Sequence, residues 1–443
     1  MRRKIAIVGI LLGLAPWARS QTTDAATQEL IQKLLARIDG LEKRVAELEK
    51  EKSAAVAPGA APAAVAPAAV TAPPPAAPQN ADVAHTHDQA PIVEAATTTY
   101  PSLKISGFSD FNFSATDLHG ASGGFGAQTL LQSHSGFQEG QFVLHLSSAL
   151  SPKVAVFSEL SLTARSDAGT GTPPATGFNA EVERLIIRYD LNDYFKVSFG
   201  RYHTPINYWN TEYHHGQWLQ TSISRPEMTQ FGGSFIPVHF VGALVEGAVP
   251  AGGLNFNYNF GVGNGRSNVI SRGGDFGDIN NNRAWLVNLF VKPDRLYGLQ
   301  VGGSVYRDEI SPLTGPVARE WIESGHIVWT KETPEIIAEF ANVTHQPVNP
   351  LQGPASNSQA FYVQAGYRLP WAQKVWKPYY RFEYIHVPGS DVIFRAVPSF
   401  SGNTAGLRYD ITTFAAFKFE YRHYVRRSLP DINGLFIQTS FTF

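Results

Sequence analysis

The sequence predicts an all-β protein: a 16-stranded antiparallel transmembrane β-barrel with an N-terminal α-helical coiled coil. The last eleven residues, from Asn433 to Phe443, alternate apolar and polar side chains, as a strand with one face in lipid and the other in water must do. Sixteen such segments follow residue 100, separated by connections that are alternately short and long. Residues 27–52 differ because their apolar side chains recur in heptads.

The composition excludes several classes of protein. With 36 Lys and Arg against 37 Asp and Glu, the net charge is −1, so the chain lacks the basic surplus of a nucleic-acid-binding protein. The absence of cysteine excludes a disulfide framework, a thiolate metal site and a cysteine-linked lipid anchor. The 39 Gly and 29 Pro suit turns better than helices. No run of about eighteen apolar residues follows the N-terminal region, so no membrane helix is predicted.

Residues 1–20 are predicted to form a signal peptide. A basic start precedes an apolar core over residues 5–14, as in secretory signals. Ala18 and Ser20 supply small side chains at the usual cleavage offsets, so the mature chain is expected to begin at Gln21. We therefore expect export from the cytoplasm.

Residues 21–52 are predicted to form a coiled-coil trimerisation segment. The a positions hold β-branched residues and the d positions hold leucines: Ile31, Ile38 and Val45, then Leu34, Leu41 and Leu48. These side chains alone favour a dimer. Residues 37–42 and 44–49, however, both resemble the Arg-h-x-x-h-Glu motif (h apolar) of parallel trimeric coils. We expect a homotrimer, with a single amphipathic helix as the alternative.

Residues 53–99 are predicted to be an Ala/Pro-rich periplasmic linker. Proline at this density prevents a continuous helix and favours an extended, semi-stiff chain. His85, His87 and Asp88 could contact a metal ion, but two or three ligands in a flexible segment make a poor site. We therefore predict no metal and no cofactor, and peptidoglycan is a candidate partner of the linker.

The barrel is predicted over residues 100–443. Its strands are expected at about 102–114, 138–150, 153–165, 181–191, 195–203, 232–248, 253–262, 284–292, 297–307, 319–330, 335–345, 359–369, 375–386, 402–410, 413–424 and 433–443. Connections after even-numbered strands are short, and those after odd-numbered strands are longer and richer in Gly, Ser and Asn. Short periplasmic turns and long external loops produce this asymmetry. An even strand count places both ends of the barrel on the periplasmic side, with the coiled coil.

The alternation also predicts which side chains face the lumen. On the strand at 181–191, for example, Leu185 and Ile187 face lipid, so Arg184 and Arg188 face inward. A lipid-facing Arg or Lys near mid-membrane costs about 2–4 kcal/mol, so the strand cations are expected inside. The candidate pore-lining and selectivity residues are Arg165, Arg184, Arg188, Arg368, Lys377, Arg381, Arg408, Lys418 and Arg422. Because acids lie close to several of them, mutual pairing of ordinary lumen residues is the alternative.

The connection at 204–231, the third on the outer side, is predicted to fold into the barrel and constrict it. A loop this long with many large side chains is unfavourable in water. The candidate constriction residues are Tyr208, Trp209, Tyr213, His214 and Trp218. The inward-facing strand cations are then expected to face this loop across the opening. An outward lid or a trimer-contact loop is the alternative.

The run Phe199-Gly-Arg-Tyr-His-Thr-Pro205, the sixteen strands and the coiled coil together resemble the phosphate-selective (polyphosphate-type) porin family. The resemblance covers residues 100–443 in pattern, with the 199–205 run as its local motif. It implies a trimer in the outer membrane of a Gram-negative-type bacterium, a third loop folded inward and a basic ladder along the channel. Since acids and bases nearly balance here, the residues favour a modest preference for anions over strict selectivity for phosphate.

The function expected from these features is passive diffusion of small hydrophilic solutes, with anions such as phosphate as candidates. No phosphate-binding loop or nucleophile elbow is present, and His214 and His215 are adjacent, so an enzyme is not predicted. The alternative function is structural: a barrel that anchors the membrane to the cell wall through the coiled coil and the linker. A conducting lumen would distinguish the two.

Overall fold

The computed structural model describes residues 100–117, 135–164, 178–213, 218–230, 235–271, 273–395 and 397–443, together with Lys43, which is helical. The predicted signal peptide, the rest of the coiled coil and the linker lie outside the described residues, as do Arg165 and His214. Among the described residues, no helix is both long enough and apolar enough to cross a membrane.

Sixteen strands form the described fold. They are β1 Lys104–Thr116, β2 Gly136–Ser151, β3 Val154–Ala164, β4 Phe178–Asn192, β5 Phe195–His203, β6 His239–Val249, β7 Phe256–Asn264, β8 Ala284–Val291, β9 Leu299–Ile310, β10 Ala318–Trp329, β11 Glu335–Pro347, β12 Ser356–Gly366, β13 Trp376–His386, β14 Phe400–Thr412, β15 Ala415–Arg426 and β16 Ile432–Thr442. One short α-helix, α1 (Trp209–Glu212), follows β5. Single 3₁₀ turns occupy Glu227–Thr229, Ala251–Gly253, Asp294–Leu296, Pro350–Gln352 and Ala372–Lys374.

The strands make one closed antiparallel barrel. Each strand pairs with its neighbours in sequence, and β1 pairs with β16 to close the ring. The closing register places Phe113 opposite Ile437 and Asn112 opposite Gln438. Closure satisfies the backbone of every described strand on both sides, so the barrel has no free sheet edge along the ring. The predicted count of sixteen antiparallel strands is confirmed.

Side chains alternate between the two faces of the barrel wall as the sequence pattern predicts. On β12, Phe361 and Val363 are exposed on the outside, while Tyr362 and Gln364 are buried inside. On the terminal strand, Leu435 is 59 % exposed and its neighbour Phe436 is 2 % exposed. The outer surface is therefore apolar and the inner surface carries the polar groups.

The start of the sixth strand was predicted wrongly. The sequence pattern extended that strand back to residue 232, whereas β6 begins at His239. Phe235 and Ile236 are buried, but they pack in the barrel interior with the loops and are not part of the sheet. The third outer connection, named loop 3 from here on, consequently runs over 204–238.

Connection lengths follow the predicted alternation with some overlap. The connections 152–153, 193–194 and 413–414 follow even-numbered strands and are tight, while loop 3 follows an odd-numbered strand. The connection 427–431 also follows an odd-numbered strand and is short. The asymmetry is a tendency that still separates one end of the barrel from the other.

Candidate functional site in the barrel interior

Loop 3 turns into the barrel directly after β5. Asn207 takes a left-handed backbone conformation (φ 61°), which reverses the chain and which Asn tolerates better than most residues. Its backbone N–H donates to Ser304 Oγ at 3.2 Å, on β9, which lies four strands along the wall from β5. The Asn210 side chain donates to Thr204 O at 2.7 Å and holds the turn closed. The loop therefore enters the interior from its first residues.

A buried carboxylate accepts hydrogen bonds from the backbone at the start of α1. The backbone N–H groups of Tyr208 and Trp209 both donate to Glu339 Oε1 on β11, at 2.7 and 2.6 Å. The Trp209 side chain is fully buried and meets the Tyr362 ring edge-on, with centroids 5.9 Å apart. Tyr213 packs against Trp209 at 5.0 Å. These contacts fix the loop to the opposite wall, where burial of each large aromatic is worth about 2–3 kcal/mol.

The second half of loop 3 is held by its backbone. Arg408 donates to the carbonyls of Trp218 (2.8 Å) and Gln220 (3.0 Å). Lys418 Nζ donates to Ser222 O at 3.2 Å. Buried carbonyls need such partners, because an unpaired one costs a full desolvation penalty. Charged groups of β14 and β15 thus replace the water that an outer loop would normally contact.

Arg381 and Glu420 form the centre of this contact. Arg381 Nη1 donates to Ser224 O at 2.8 Å, and its Nη2 donates to Arg225 O at 3.1 Å. Glu420 Oε2 accepts the backbone N–H of Ile223 at 2.8 Å, and its Oε1 accepts the Ser224 hydroxyl at 2.7 Å. Both wall side chains are almost fully buried. The wall therefore offers donors to the loop carbonyls and acceptors to its N–H groups.

The other predicted lumen cations are paired with acids on the same strand or on nearby strands and turns. Each of the following is largely buried: Arg184 with Glu159 (2.6 Å), Arg188 with Asp190 (2.7 Å), Lys377 with Glu335 (2.8 Å), Arg422 with Glu420 (2.5 Å), and Arg368 with Glu332 and Asp410. Removing one partner of such a pair costs about 3–5 kcal/mol because the other charge stays buried. These cations thus have a structural role in the wall, whatever they do for solutes.

The placement of the cations differs in one respect from the sequence-based expectation. We expected the strand cations to face loop 3 across an opening. Arg381, Arg408 and Lys418 instead touch the loop directly. Of the predicted loop residues, the structure brings together the rings of Tyr208 and Tyr213, 5.6 Å apart.

A second connection, 387–399 between β13 and β14, also folds inward and was not anticipated. Asp391 accepts the His345 ring at 2.9 Å and the Ser358 hydroxyl at 2.8 Å. Phe394 is fully buried and stacks on Phe235 of loop 3 at 5.2 Å. The apolar run Val392-Ile-Phe394 inside a connection was the available signal, since such a run is unfavourable in water.

A chain of charges lies beneath this second loop. The other ring nitrogen of His345 lies 2.9 Å from Glu320 Oε2, and Glu320 Oε1 accepts Arg266 Nε at 2.9 Å. Arg266 also donates to Phe235 O at 3.0 Å. The network joins β10 and β11 to loop 3 and to the connection after β7. It holds three outer connections in one place.

Three groups of the inward-folded loops have shifted pKa values. Burial, together with the charge of Tyr213, raises the pKa of the Tyr208 phenol well above its usual value. Burial lowers the pKa of Arg225 to about 9, although the charge of Glu183 opposes the shift. Burial alone would raise the pKa of Asp391, but hydrogen bonding and attraction from His345 outweigh it and hold that pKa well below its usual value. None of the three changes charge near neutral pH.

An open cavity lies on the side of the barrel that loop 3 does not fill. It has a volume of about 110 Å³ and opens to solvent, and Asn207 and Thr211 of loop 3 are part of its lining. Its wall is formed by β4 to β9, with these polar side chains among the lining: Arg188, Lys196, Glu246, Asn257, Asn259, Asn288, Lys292 and Gln300. This cavity is the candidate path for a solute.

Most of that lining was not predicted from the sequence. Asn257 and Asn259 alternate with Phe256, Tyr258 and Phe260 on β7, so their inward placement could have been inferred from period two. The candidate pore-lining residues were chosen for their charge, so asparagines were left out, although uncharged amides also line water-filled channels. Lys292 lies in the turn after β8, where the strand pattern gives no orientation.

One cluster in the described part of the chain has the composition of a metal site. Ligand atoms of Glu181, Glu183 and His239 lie within 4.8 Å of one another. Arg201 Nη2 donates to Glu181 Oε1 at 2.9 Å and lies 3.1 Å from His239 Nδ1, while Asp275 Oδ1 accepts its Nε at 2.7 Å. The guanidinium already supplies the positive charge, so the cluster is better described as an ion-pair network.

No protein-family model and no curated protein matches the chain. Solved structures match in fold. They include the outer membrane channel DcaP of Acinetobacter baumannii (TM-score 0.52, 12% identity, 77% of this chain and 97% of that one). OmpF of Salmonella typhi in complex with daunomycin matches at TM-score 0.52 with 11% identity, over 77% of this chain and 98% of that chain.

OmpT, an outer membrane protein of Vibrio cholerae, matches at TM-score 0.50 with 12% identity, covering 79% of this chain and 99% of that chain. Identities this low show the fold and leave function open. The chain therefore shares the barrel fold of these outer-membrane proteins.

Proposed function

We propose that the protein is an outer-membrane porin that lets small hydrophilic solutes diffuse passively. The observation that carries the proposal is the polar cavity enclosed between the wall of β4 to β9 and the inward-folded loop 3. A binding protein or an anchor does not need a polar space inside a barrel whose outer surface is apolar. In this proposal the barrel catalyses no reaction.

The outer surface supports a membrane location. On β10, Trp321 and Trp329 face outward near opposite ends of the strand, with the exposed Ile327 between them. Aromatic side chains at both edges of an apolar band are typical of transmembrane barrels. Glu323 also faces outward, but it lies next to the Trp321 end, where the cost of a charge is small. The short connections would face the periplasm, together with the N-terminal segment.

We further propose a modest preference for anions such as phosphate, set by the cavity. Among the described residues, Lys196 and Lys292 make no ion pair, whereas the nearby Glu246 contacts Arg188 at 3.7 Å. Ammonium groups that make no ion pair attract anions when they line a narrow space. The buried Arg381 and Lys418 contribute less to selectivity in this proposal, because their donors are bound to loop 3.

The proposed assembly is a homotrimer. It rests on the heptads of residues 27–52 and on the resemblance to a trimeric porin family. Contact of the linker with peptidoglycan is part of the same proposal, because an extended Pro-rich segment of this length can reach beyond the membrane surface.

The test is single-channel conductance of the full protein in a planar lipid bilayer under a salt gradient. A porin gives stepwise current, and the sign of the reversal potential reports whether anions or cations pass more readily. We expect steps with a small shift toward the anion side. Absence of any current from correctly folded, heat-modifiable protein would refute the channel.

A structural anchor is the second candidate function. The observation that favours it is the tight packing of loop 3 against β10 to β15, which buries charges such as Arg381 and Glu420 and leaves little free space on that side. An anchor tolerates a filled barrel, whereas a channel requires a continuous path. The same conductance experiment separates the two.

A further inference from the structure

A polar row crosses the floor of the cavity on four adjacent strands. Lys196 lies opposite Glu246, Glu246 opposite Asn259, and Asn259 opposite Asn288 in the strand registers. Asn288 Nδ2 donates to Asn259 Oδ1 at 3.1 Å, while Ser304 Oγ donates to Asn288 Oδ1 at 2.9 Å. The hydrogen bonds orient both amides, so the groups that they present to the cavity are fixed.

Several amide atoms along the cavity keep unused hydrogen-bonding capacity. Within the described chain, Asn259 Nδ2 has no acceptor, and Asn257 donates to Asn255 O at 2.7 Å while its own Oδ1 accepts nothing. From above, Asn207 Oδ1 is buried without a described partner. Free donors and free acceptors thus line the same space. Hydroxyl groups match such a surface because each can donate and accept at once.

Two cations complete the lining. Lys196 and Lys292 make no ion pair with any described residue, and Lys292 lies 5.3 Å from the ring centre of Phe290. The cavity acid Glu246 is already in contact with Arg188. Asp193 and Glu212 also line the cavity. A ligand with one negative charge therefore gains an ammonium partner, while a ligand with several charges also meets these acids.

We propose that this cavity binds small carboxylates that carry several hydroxyl groups, of the sugar-acid type, as they pass through the barrel. Lys196 or Lys292 takes the carboxylate, and Asn257, Asn259 and Asn207 exchange hydrogen bonds with the hydroxyl groups. The inference rests on the proposed channel function and specifies the solute class of that same space. A sugar acid uses both the ammonium groups and the amides of the lining, whereas a simple anion or a neutral polyol uses only one of the two.

The test measures potassium chloride current through single channels of the full protein while a solute is added. Gluconate, which has one carboxylate and five hydroxyl groups, is the probe. Sorbitol supplies the hydroxyl groups without the charge, acetate the carboxylate without the hydroxyl groups, and inorganic phosphate a compact anion. We expect gluconate to reduce the current in a saturable way at concentrations about tenfold lower than any of the three comparison solutes, because only gluconate uses both the ammonium group and the amides; tenfold corresponds to about 1.4 kcal/mol.

Variants identify the groups involved. K196M with K292M should raise the half-blocking concentration of gluconate about tenfold without changing the weak effect of sorbitol. N259L with N288L should weaken both solutes, because it removes the oriented amides. N342L is the matched control: Asn342 lies on β11 and faces outward, so this variant should behave as the parent.

The outcomes separate two failures. Protein that shows no potassium chloride current refutes the proposed channel itself. Normal current with no saturable gluconate effect refutes the sugar-acid site and leaves the channel intact. If phosphate or acetate equals gluconate, the cavity recognises charge alone. If sorbitol equals gluconate, the cavity recognises hydroxyl groups alone, and either result overturns the inference.

Discussion

At the scale of single residues, the interior depends on a few buried charges that each serve several partners. Arg381 donates to Glu383 on its own strand and to two carbonyls of loop 3. Glu420 accepts from Arg422, from Tyr379 and from the loop. Because these groups have no access to water, each bond that is lost leaves a desolvated charge or dipole behind.

Replacing Arg381 with Met should therefore destabilise the folded interior by about 3–5 kcal/mol, since Glu383 and the loop carbonyls lose their donor. The measurement is the thermal unfolding midpoint in detergent, with current noise as a second readout of loop motion. R319M serves as the control, because the Arg319 side chain is 48 % exposed and lies 4.0 Å from Glu309. An exposed pair of this kind contributes at most about 1 kcal/mol. Equal effects of the two variants would contradict the assignment.

Asp391→Asn should weaken the second inward loop in a pH-dependent way. Attraction and hydrogen bonding from His345 hold the folded pKa of Asp391 below its unfolded value of about 3.9. The stability that this carboxylate contributes is therefore fully present above that unfolded value and is lost as the pH falls through the depressed folded pKa. We expect the parent to unfold at a higher temperature than the variant at pH 7.

The gap between parent and D391N should narrow once the pH drops below about 4. D431N is the control, because Asp431 is exposed in the last outer connection and its change should matter little. A gap that stays constant from pH 7 to strongly acidic solution would show that the charge of Asp391 is not what holds the loop.

At the scale of elements, the strands were predictable from the sequence and the loop contacts were not. Arg184 and Gln364 lie inside because the residues next to them on their strands face the lipid. This constraint acts between neighbours in the sequence. The contact of Tyr208 with Glu339 joins positions more than a hundred residues apart, and no periodicity encodes it. The start of β6 was predicted wrongly for the same reason, since Phe235 is buried by tertiary packing outside the sheet.

Shortening loop 3 between Ile206 and Glu227 should raise the single-channel conductance several-fold and reduce charge selectivity. The reason is that this segment occupies the space in front of β10 to β15, where its backbone is bonded to Arg408 and Arg381. The measurement is conductance together with reversal potential in a salt gradient. Unchanged values for both would mean that the loop is not the constriction.

A control for that experiment removes residues from a loop of the same rim. Leu351 and Gln352 are exposed in the connection between β11 and β12, and neither side chain contacts loop 3 among the described residues. Their deletion should leave the conductance at the parent value. An increase in conductance in both shortened proteins would indicate that any loop deletion loosens the barrel.

At the scale of the whole molecule, the barrel closes its own hydrogen bonding, so its folding need not depend on assembly. The pairing of β1 with β16 leaves each described strand with two partners. A membrane barrel of this kind is stable as a single chain, because no backbone group is left for lipid. Association then depends on other parts of the protein, among which the heptads of residues 27–52 are the strongest candidate.

Deleting residues 21–52, behind the predicted signal peptide, should weaken the proposed trimer without unfolding the barrel. Analytical ultracentrifugation in detergent measures the first effect, and the β-sheet circular dichroism signal measures the second. Single-channel steps should keep their size, because the path lies within one barrel. A deletion variant that remains fully trimeric would show that barrel-to-barrel contacts suffice.

The way the wall holds loop 3 has a consequence for sequence drift. Arg408 donates to the carbonyl groups of Trp218 and Leu219, which every amino acid supplies, so this contact does not depend on the side chains of these two half-buried residues. Substitutions there can alter what the loop presents to solutes while its path through the barrel persists. Natural variation or a mutant library could therefore change the permeation properties at these positions without changing the path of the loop.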